Sequence, residues 1–344
     1  MTSLLQPNYT LNLGSQKWTQ QVLRMELQLA TAPLIDTLTI RLPVAAPLSA
    51  GIGDTVELRL NSGEKEAKVF TGVVDSIRRG FEDIRVSALN AGAKLARFRP
   101  GVSYEQITAG NVVRNLCSDA GVDTGSIEDG VSLAFYVADP SRTALEHVAR
   151  VCDWSGAIAR VSENNEVESV VVNATQPDVA VKYGREVLSA WQWKLTSQTK
   201  SFVVAGESGA GDTSSNDALR PTTDFFGGNR PDGPSPIARW SSEPALRTTD
   251  AAGTAGSALQ RAYDSSRETG RMDAFLQPDL RPGTILQIQD LPEDLPSGPL
   301  WLYRVEHCVG PQGARTRAFF HKGGDAFNPQ SLLGSLTSAV GSLL

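Results

Sequence analysis

Over residues 22–90 apolar and polar positions alternate with a period of two. Val22, Met25, Leu27 and Leu29 are apolar around Glu26 and Gln28, and Leu38, Ile40 and Leu42 repeat the pattern. Val56, Leu58 and Leu60 then alternate with Glu57 and Arg59, and the runs Val69–Ile77 and Asp83–Asn90 continue it. Such alternation, broken at short intervals by Pro43, Pro47, Gly51 and Gly53, predicts antiparallel strands with one buried face.

The period then changes. From Ile107 to Gly121, Val112, Val113, Leu116, Cys117 and Ala120 form a helical stripe, with Thr108 placed as N-cap and Gly121 just past the end. A second helix is predicted from about Ser141 to Trp154. Two strands follow, around AIARVS and EVESVVVN, joined at Glu163-Asn164-Asn165. Asn tolerates positive φ, so this reads as a hairpin. Alternation resumes from Glu186: Trp191, Trp193 and Leu195 share one face, and Phe202 and Val204 another. Residues 206–236 are dense in Gly, Pro, Ser and Asp and read as a long loop. An Ala-rich helix is predicted over Asp250–Glu268, followed by the strand patterns RMDAFLQ, TILQIQ, WLYRVEHCV and TRAFFHK.

The expected fold class is therefore a β-rich α+β protein with four parts. These are a first β domain (1–98), an inserted small α/β domain (99–178), a second β domain carrying the long loop (179–325), and an apolar tail (326–344).

Composition narrows the function. The 344 residues, 40% hydrophobic and 20% charged, suit a folded chain with ample core. A net charge of −6 argues against a nucleic-acid binder driven by phosphate neutralisation, and no stretch interleaves aromatics with Lys and Arg, which disfavours a single-strand binding platform. Cys117, Cys152 and Cys308 fit neither a disulfide framework nor a zinc pattern, and suit folding in a reducing compartment. No apolar run approaches the ~20 residues that span a bilayer, and the N-terminus lacks the pattern of a signal peptide.

Thr143–Trp154, TALEHVARVCDW, sets a thiol, an imidazole and a carboxylate close together. On a helix with about 100° between neighbours, Leu145, Val148 and Cys152 share an inward stripe. His147 lies about 200° from Leu145, on the opposite side, and about 140° from Cys152. The stretch is expected to hold a core Cys and a surface His, out of the hydrogen-bond reach a thiolate–imidazole pair needs. His307 is expected to point into a β core or an interface, on one face with Trp301, Tyr303 and Val305. His307 and His321 lack metal-ligand spacing. The acidic pairs Glu82-Asp83 and Glu293-Asp294 read as solvated turns rather than a catalytic pair. No catalytic, cofactor or metal residues are assigned.

At the C-terminus, Leu332, Leu333, Leu336, Val340, Leu343 and Leu344 recur at helical spacing. The pattern reads either as a helix packed on its own domain or a frayed end, or as a docking segment for another subunit.

The order of these pieces resembles the late control D family. These are the tail-hub proteins of contractile phages, and the family is also found as the N-terminal part of VgrG spikes and in phage-tail-like bacteriocins and injection systems. The resembling residues are Phe70–Arg79, Tyr104–Val122, Phe135–Ala157, Leu280–Gln289 and Trp301–Phe320. The resemblance implies two β-barrel-like hub domains with an intervening small α/β domain. It implies a structural, non-enzymatic homotrimer that adapts a sixfold tail tube to a threefold spike. The implied partners are the tail spike protein, the tail tube or tube-initiator protein and other baseplate proteins, with no membrane insertion and no sequence-specific nucleic acid. Assembly would occur in the host cytoplasm, and the product would be a virion tail baseplate or a phage-tail-like particle. The alternative is a cell-wall-degrading or carbohydrate-binding component of the same tail tip. Against the larger members, no fused spike repeat or effector domain is expected, and the spike is expected to be a separate polypeptide.

Overall fold

A computed structural model describes residues 8–63, 66–172, 176–195, 201–206, 238–292, 298–311 and 313–323. The first segment forms β1 (Asn8–Leu13), β2 (Gln16–Trp18), β3 (Arg24–Ala30), β4 (Thr37–Pro43), β5 (Thr55–Asn61), β6 (Glu66–Arg79) and β7 (Asp83–Leu89). The middle comprises α1 (Gly92–Arg97), β8 (Val102–Thr108), α2 (Ala109–Asp119), β9 (Thr124–Ile127), β10 (Ser132–Ala138), α3 (Ala144–Trp154), β11 (Ala157–Val161) and β12 (Val167–Val171). The last segment holds β13 (Val179–Lys182), β14 (Val187–Lys194), β15 (Ser201–Ala205), β16 (Ala238–Ser242), α4 (Thr249–Ser266), β17 (Glu268–Phe275), β18 (Ile285–Gln289), β19 (Leu300–Gly310) and β20 (Gly313–Lys322). The chain is thus β-rich, as its alternation predicts. The loop expected over 206–236 and the tail residues Leu332 to Leu344 lie almost wholly or wholly outside the described residues.

The first and last segments do not make separate sheets. They merge into one sheet of 13 strands, ordered β14-β17-β20-β19-β3-β4-β7-β6-β5-β1-β2, with β18 beside β19 and β13 beside β18. The seam is antiparallel pairing of β19 with β3, running from Arg304↔Ala30 to Val309↔Met25.

The strand order contains a repetition. In β3-β4-β7-β6 the sheet order is first, second, fourth, third in the sequence, and β14-β17-β20-β19 follows the same order in the same direction. In each set a strand lying between the second and third in sequence (β5, β18) pairs the third antiparallel. The likeness extends to individual bonds. Gly53 N donates to Val74 O and Val74 N to Asp54 O, both at 2.8 Å; Gly283 N donates to Leu302 O at 2.6 Å and Leu302 N to Thr284 O at 3.0 Å. Gly53 and Gly283 have φ of 91° and 88°, a conformation that side chains resist. The ladder slips one residue just beyond, between Val74 and Ser76 in β6 and between Leu302 and Arg304 in β19.

Inward side chains of both sets pool into one core that includes Leu11, Leu27, Ile40, Val86, Met272, Leu302 and Phe320. A second core joins α2 and α3 to Ala251, Ala252 and Ala255 of α4. The alanines let α4 approach α3 closely. Local signals behave as expected: Thr108 Oγ1 accepts from Asn111 N at 3.2 Å, Gly121 has φ +64°, and Asn165 at the β11–β12 turn has φ +69°.

That hairpin tip docks on the large sheet through polar contacts. Ala91 N donates to Asn165 Oδ1 at 2.6 Å, Thr71 Oγ1 to Glu163 O at 2.7 Å, and Glu163 ion-pairs with Arg281. Beside it Asp36 is buried, accepting from Ala30 N at 2.8 Å and Asn90 Nδ2 at 2.7 Å. Burial raises its pKa to about 7, against the lowering effects of the Ala30 N–H, the Arg281 charge and the Asn90 amide.

Gly53→Ala and Gly283→Ala should each cost about 1–3 kcal/mol of unfolding free energy through backbone strain. Gly283→Ala should cost more, because its Cβ would meet Ile158 Cδ1 at 3.0 Å and Arg160 Nη1 at 3.1 Å, whereas Gly53 faces open space; urea unfolding measures both. Asp36 binds its proton more tightly folded than unfolded, so its titration stabilises the fold fully below pH ~4, and that contribution is lost as pH rises through about 7. Asp36→Asn should flatten the melting temperature between those values; an unchanged pH profile would assign the dependence to another group.

Candidate functional site

The TALEHVARVCDW stretch forms α3 behind a full capping box: Thr143 Oγ1 accepts from Glu146 N, and the Glu146 carboxylate accepts from Thr143 N. Leu145, Val148 and Cys152 point inward as the helical spacing predicts. The surface placement of His147 is wrong: it is 0% exposed. Its Nδ1 lies 2.7 Å from Tyr136 Oη of β10, and its Nε2 lies 3.0 Å from Asp139 O. The reason is that α3 is covered on two sides, by α1, α2 and α4 of the second core and by the β10 region that carries Tyr136. Both imidazole nitrogens are therefore engaged away from Cys152. The buried Cys117 and Cys152 thiols are pushed up to about 12 by desolvation, which disfavours the nucleophilic thiolate.

The other candidate groups are also structural. His307 is buried, with Nδ1 3.0 Å from Thr316 Oγ1, and burial lowers its pKa to about 4. It shares the inward face with Val305 but not with Trp301 and Tyr303. The slip in β19 at Tyr303 reverses the alternation, so Trp301 and Tyr303 lie outward, against His321 at ring-centroid distances of 4.9 Å and 4.4 Å. Asp83 is not a solvated turn residue. It begins β7, is buried, and is bound by Arg41 Nε at 2.5 Å and Arg85 Nε at 3.3 Å, with Arg41 foremost in holding its pKa down. Glu293 and Asp294 lie outside the described residues. Among the described residues no group of three or more His, Cys, Asp or Glu is placed to hold a metal ion. No helix there is long and apolar enough to cross a membrane.

What the chain presents instead is the outward face of its large sheet. Cross-strand register sets side chains in rows. At one end Trp193, Thr269, His321 and Trp301 align; next come Trp191, Arg271, Phe319 and Arg304. The following row is ionic, with Asp273 held by Arg317 at 2.7 Å and Arg317 beside Glu306 at 3.8 Å. At the far end, on the other strand set, Arg24, Arg41, Arg85 and Arg78 align. Strand β14 ends the sheet of described strands; its Trp191 and Trp193, and Leu195 just past its end, are 56%, 48% and 57% exposed. These three share a face, as the alternation predicts, but it is a solvent face. Exposed apolar side chains on a strand whose outer edge no described strand pairs are the kind of feature that marks an interaction surface.

No protein-family model matches the sequence, and no curated protein matches it. Solved structures do. A tail protein from Neisseria meningitidis MC58 is 10% identical and superposes with a TM-score of 0.70, over 92% of this chain and 97% of that one. The 43 kDa tail protein of prophage MuSo2 from Shewanella oneidensis is 13% identical, with a TM-score of 0.68, over 92% and 98%. An E. coli component of the type VI secretion system is 11% identical, with a TM-score of 0.57, over 92% and 77%. The chain has the fold of phage tail proteins, the class to which its sequence resemblance to tail hubs points.

Proposed function

We propose that this chain is the structural baseplate hub of a contractile phage tail or phage-tail-like particle. It acts as a homotrimer that adapts a sixfold tail tube to a threefold central spike. The observation that carries the reading is the repetition of one four-strand order within a single sheet. Three copies of a chain holding two equivalent sets present six such sets, so a threefold ring can meet a sixfold tube. In this reading residues 1–98 and 179–325 supply two barrel-like hub domains, 99–178 the small α/β domain, and 326–344 a tail with Leu332, Leu333, Leu336, Val340, Leu343 and Leu344 that docks the spike. The tube or tube initiator and other baseplate proteins complete the assembly, which forms in the host cytoplasm.

The exposed tryptophans of β14 support self-association, since strand edges and apolar faces of this kind are covered in stable assemblies. The burial of Cys152 and the engagement of His147 weigh against a cell-wall-degrading role.

A Trp191→Lys/Trp193→Glu variant should lose about 2–4 kcal/mol of association free energy and sediment as a monomer where the parent is oligomeric. A parent chain that stays monomeric, alone and with its tail-tip partners, would sink the hub reading. Removing residues 328–344 should abolish co-purification with the spike while leaving the melting temperature unchanged; undiminished spike binding would remove the docking role of the tail.

A further inference from the structure

Arg24, Arg41, Arg85 and Arg78 stand on β3, β4, β7 and β6, four adjacent strands, and are directly cross-paired in register. Neighbouring strands lie about 4.8 Å apart, so the guanidiniums form a ridge about 14 Å long at one end of the sheet face. Three of them, with Glu26 and Thr39, line a cleft of about 240 Å³. The carboxylates present are already engaged at the guanidinium Nε atoms: Glu26 at 2.5 Å from Arg24, and Asp83 at 2.5 Å and 3.3 Å from Arg41 and Arg85. No hydrogen bond among the described residues uses the Nη groups of Arg41 or Arg85, and Arg78 has no ion pair there. Four guanidiniums against two carboxylates leave the ridge positive on a chain whose net charge is −6.

The next positions along the same strands are Thr39, Ser87 and Ser76, beside Glu26. These are short hydroxyl side chains that allow close approach and donate to phosphate oxygens. The row itself holds no apolar anchor of the kind that would seat an acidic peptide.

We propose that this ridge binds the phosphate backbone of a nucleic acid, without base readout. Planar guanidiniums with terminal N–H groups to spare suit bidentate phosphate contact, and a row across strands suits an extended polyanion. The inference does not depend on the trimer: the ridge is complete within one chain.

The test uses the full-length protein and a short labelled DNA duplex of mixed sequence, titrated at several salt concentrations. The variant is Arg24→Gln/Arg85→Gln, chosen because Asp83 keeps Arg41 as a partner; Arg59→Gln on β5 is the control. The parent should bind with affinity that falls steeply with salt. The double variant should bind about tenfold or more weakly, with a salt slope shallower by about two. The control should match the parent, and all three proteins should melt alike. No DNA binding by the parent, equal loss in the control, or binding of poly-glutamate in preference to DNA would each overturn the proposal. A double variant that melts early is replaced by Arg78→Gln, for which a weaker fall of the same sign is expected and an unchanged affinity counts against the ridge.

Discussion

The pairing of β19 with β3 is the interaction on which the rest of this structure depends. It joins main-chain segments separated by most of the chain, from Arg304 opposite Ala30 to Val309 opposite Met25. Without it the two four-strand sets would each expose an edge of unsatisfied N–H and C=O groups. With it, Leu27 and Leu29 share a core with Leu302 and Val305, and the outward residues of eight consecutive strands become one face. The aromatic rows at one end and the arginine row at the other exist as neighbours on a single surface because this seam fixes their relative position.

The second constraint is polar. The α/β unit is held to the sheet by the β11–β12 hairpin tip, through Asn165, Glu163 and Arg281, with Asp36 and Asn90 buried beside them. Such contacts cost desolvation and are worth retaining where orientation matters, because hydrogen-bond geometry is directional while apolar packing is not. With Ala32 N donating to Ala159 O and Arg160 Nη1 to Pro282 O, the joint ties the α/β unit to the sheet, and α4 reaches back from the last segment to complete the second core.

Much of the local structure was legible in the amino-acid order. Alternation located β3 to β7 and β17 to β20 but gave no sign of short or partly exposed strands such as β2, β8 and β10, while Thr108 and Gly121 bounded α2 and Asn165 marked the hairpin turn. The failures have definite causes. His147 was read as a surface residue because a helical stripe identifies one buried face, and α3 has two. Trp301, Tyr303, Val305 and His307 looked like one face because a bulge leaves no signature in side-chain alternation. The duplication of strand order was invisible for a related reason: GDTVEL and PGTILQ share little beyond a glycine and a threonine, yet their main chains make equivalent bonds.

By itself the sequence determined what the segments with a clear period become, since period, capping residues and turn residues act over a few neighbours. It also marked the strand faces that can be buried, except where a bulge shifts the period, as in β19. The tertiary structure decided which strands lie side by side and in what register. Interstrand hydrogen bonds are made by the main chain, which is alike at nearly every position, so partner choice rests on the packing of the whole core. That choice brings Arg24, Arg41, Arg78 and Arg85, scattered along the sequence, into one row, and it sets Trp191 and Trp193 on a strand that pairs only β17 among the described strands.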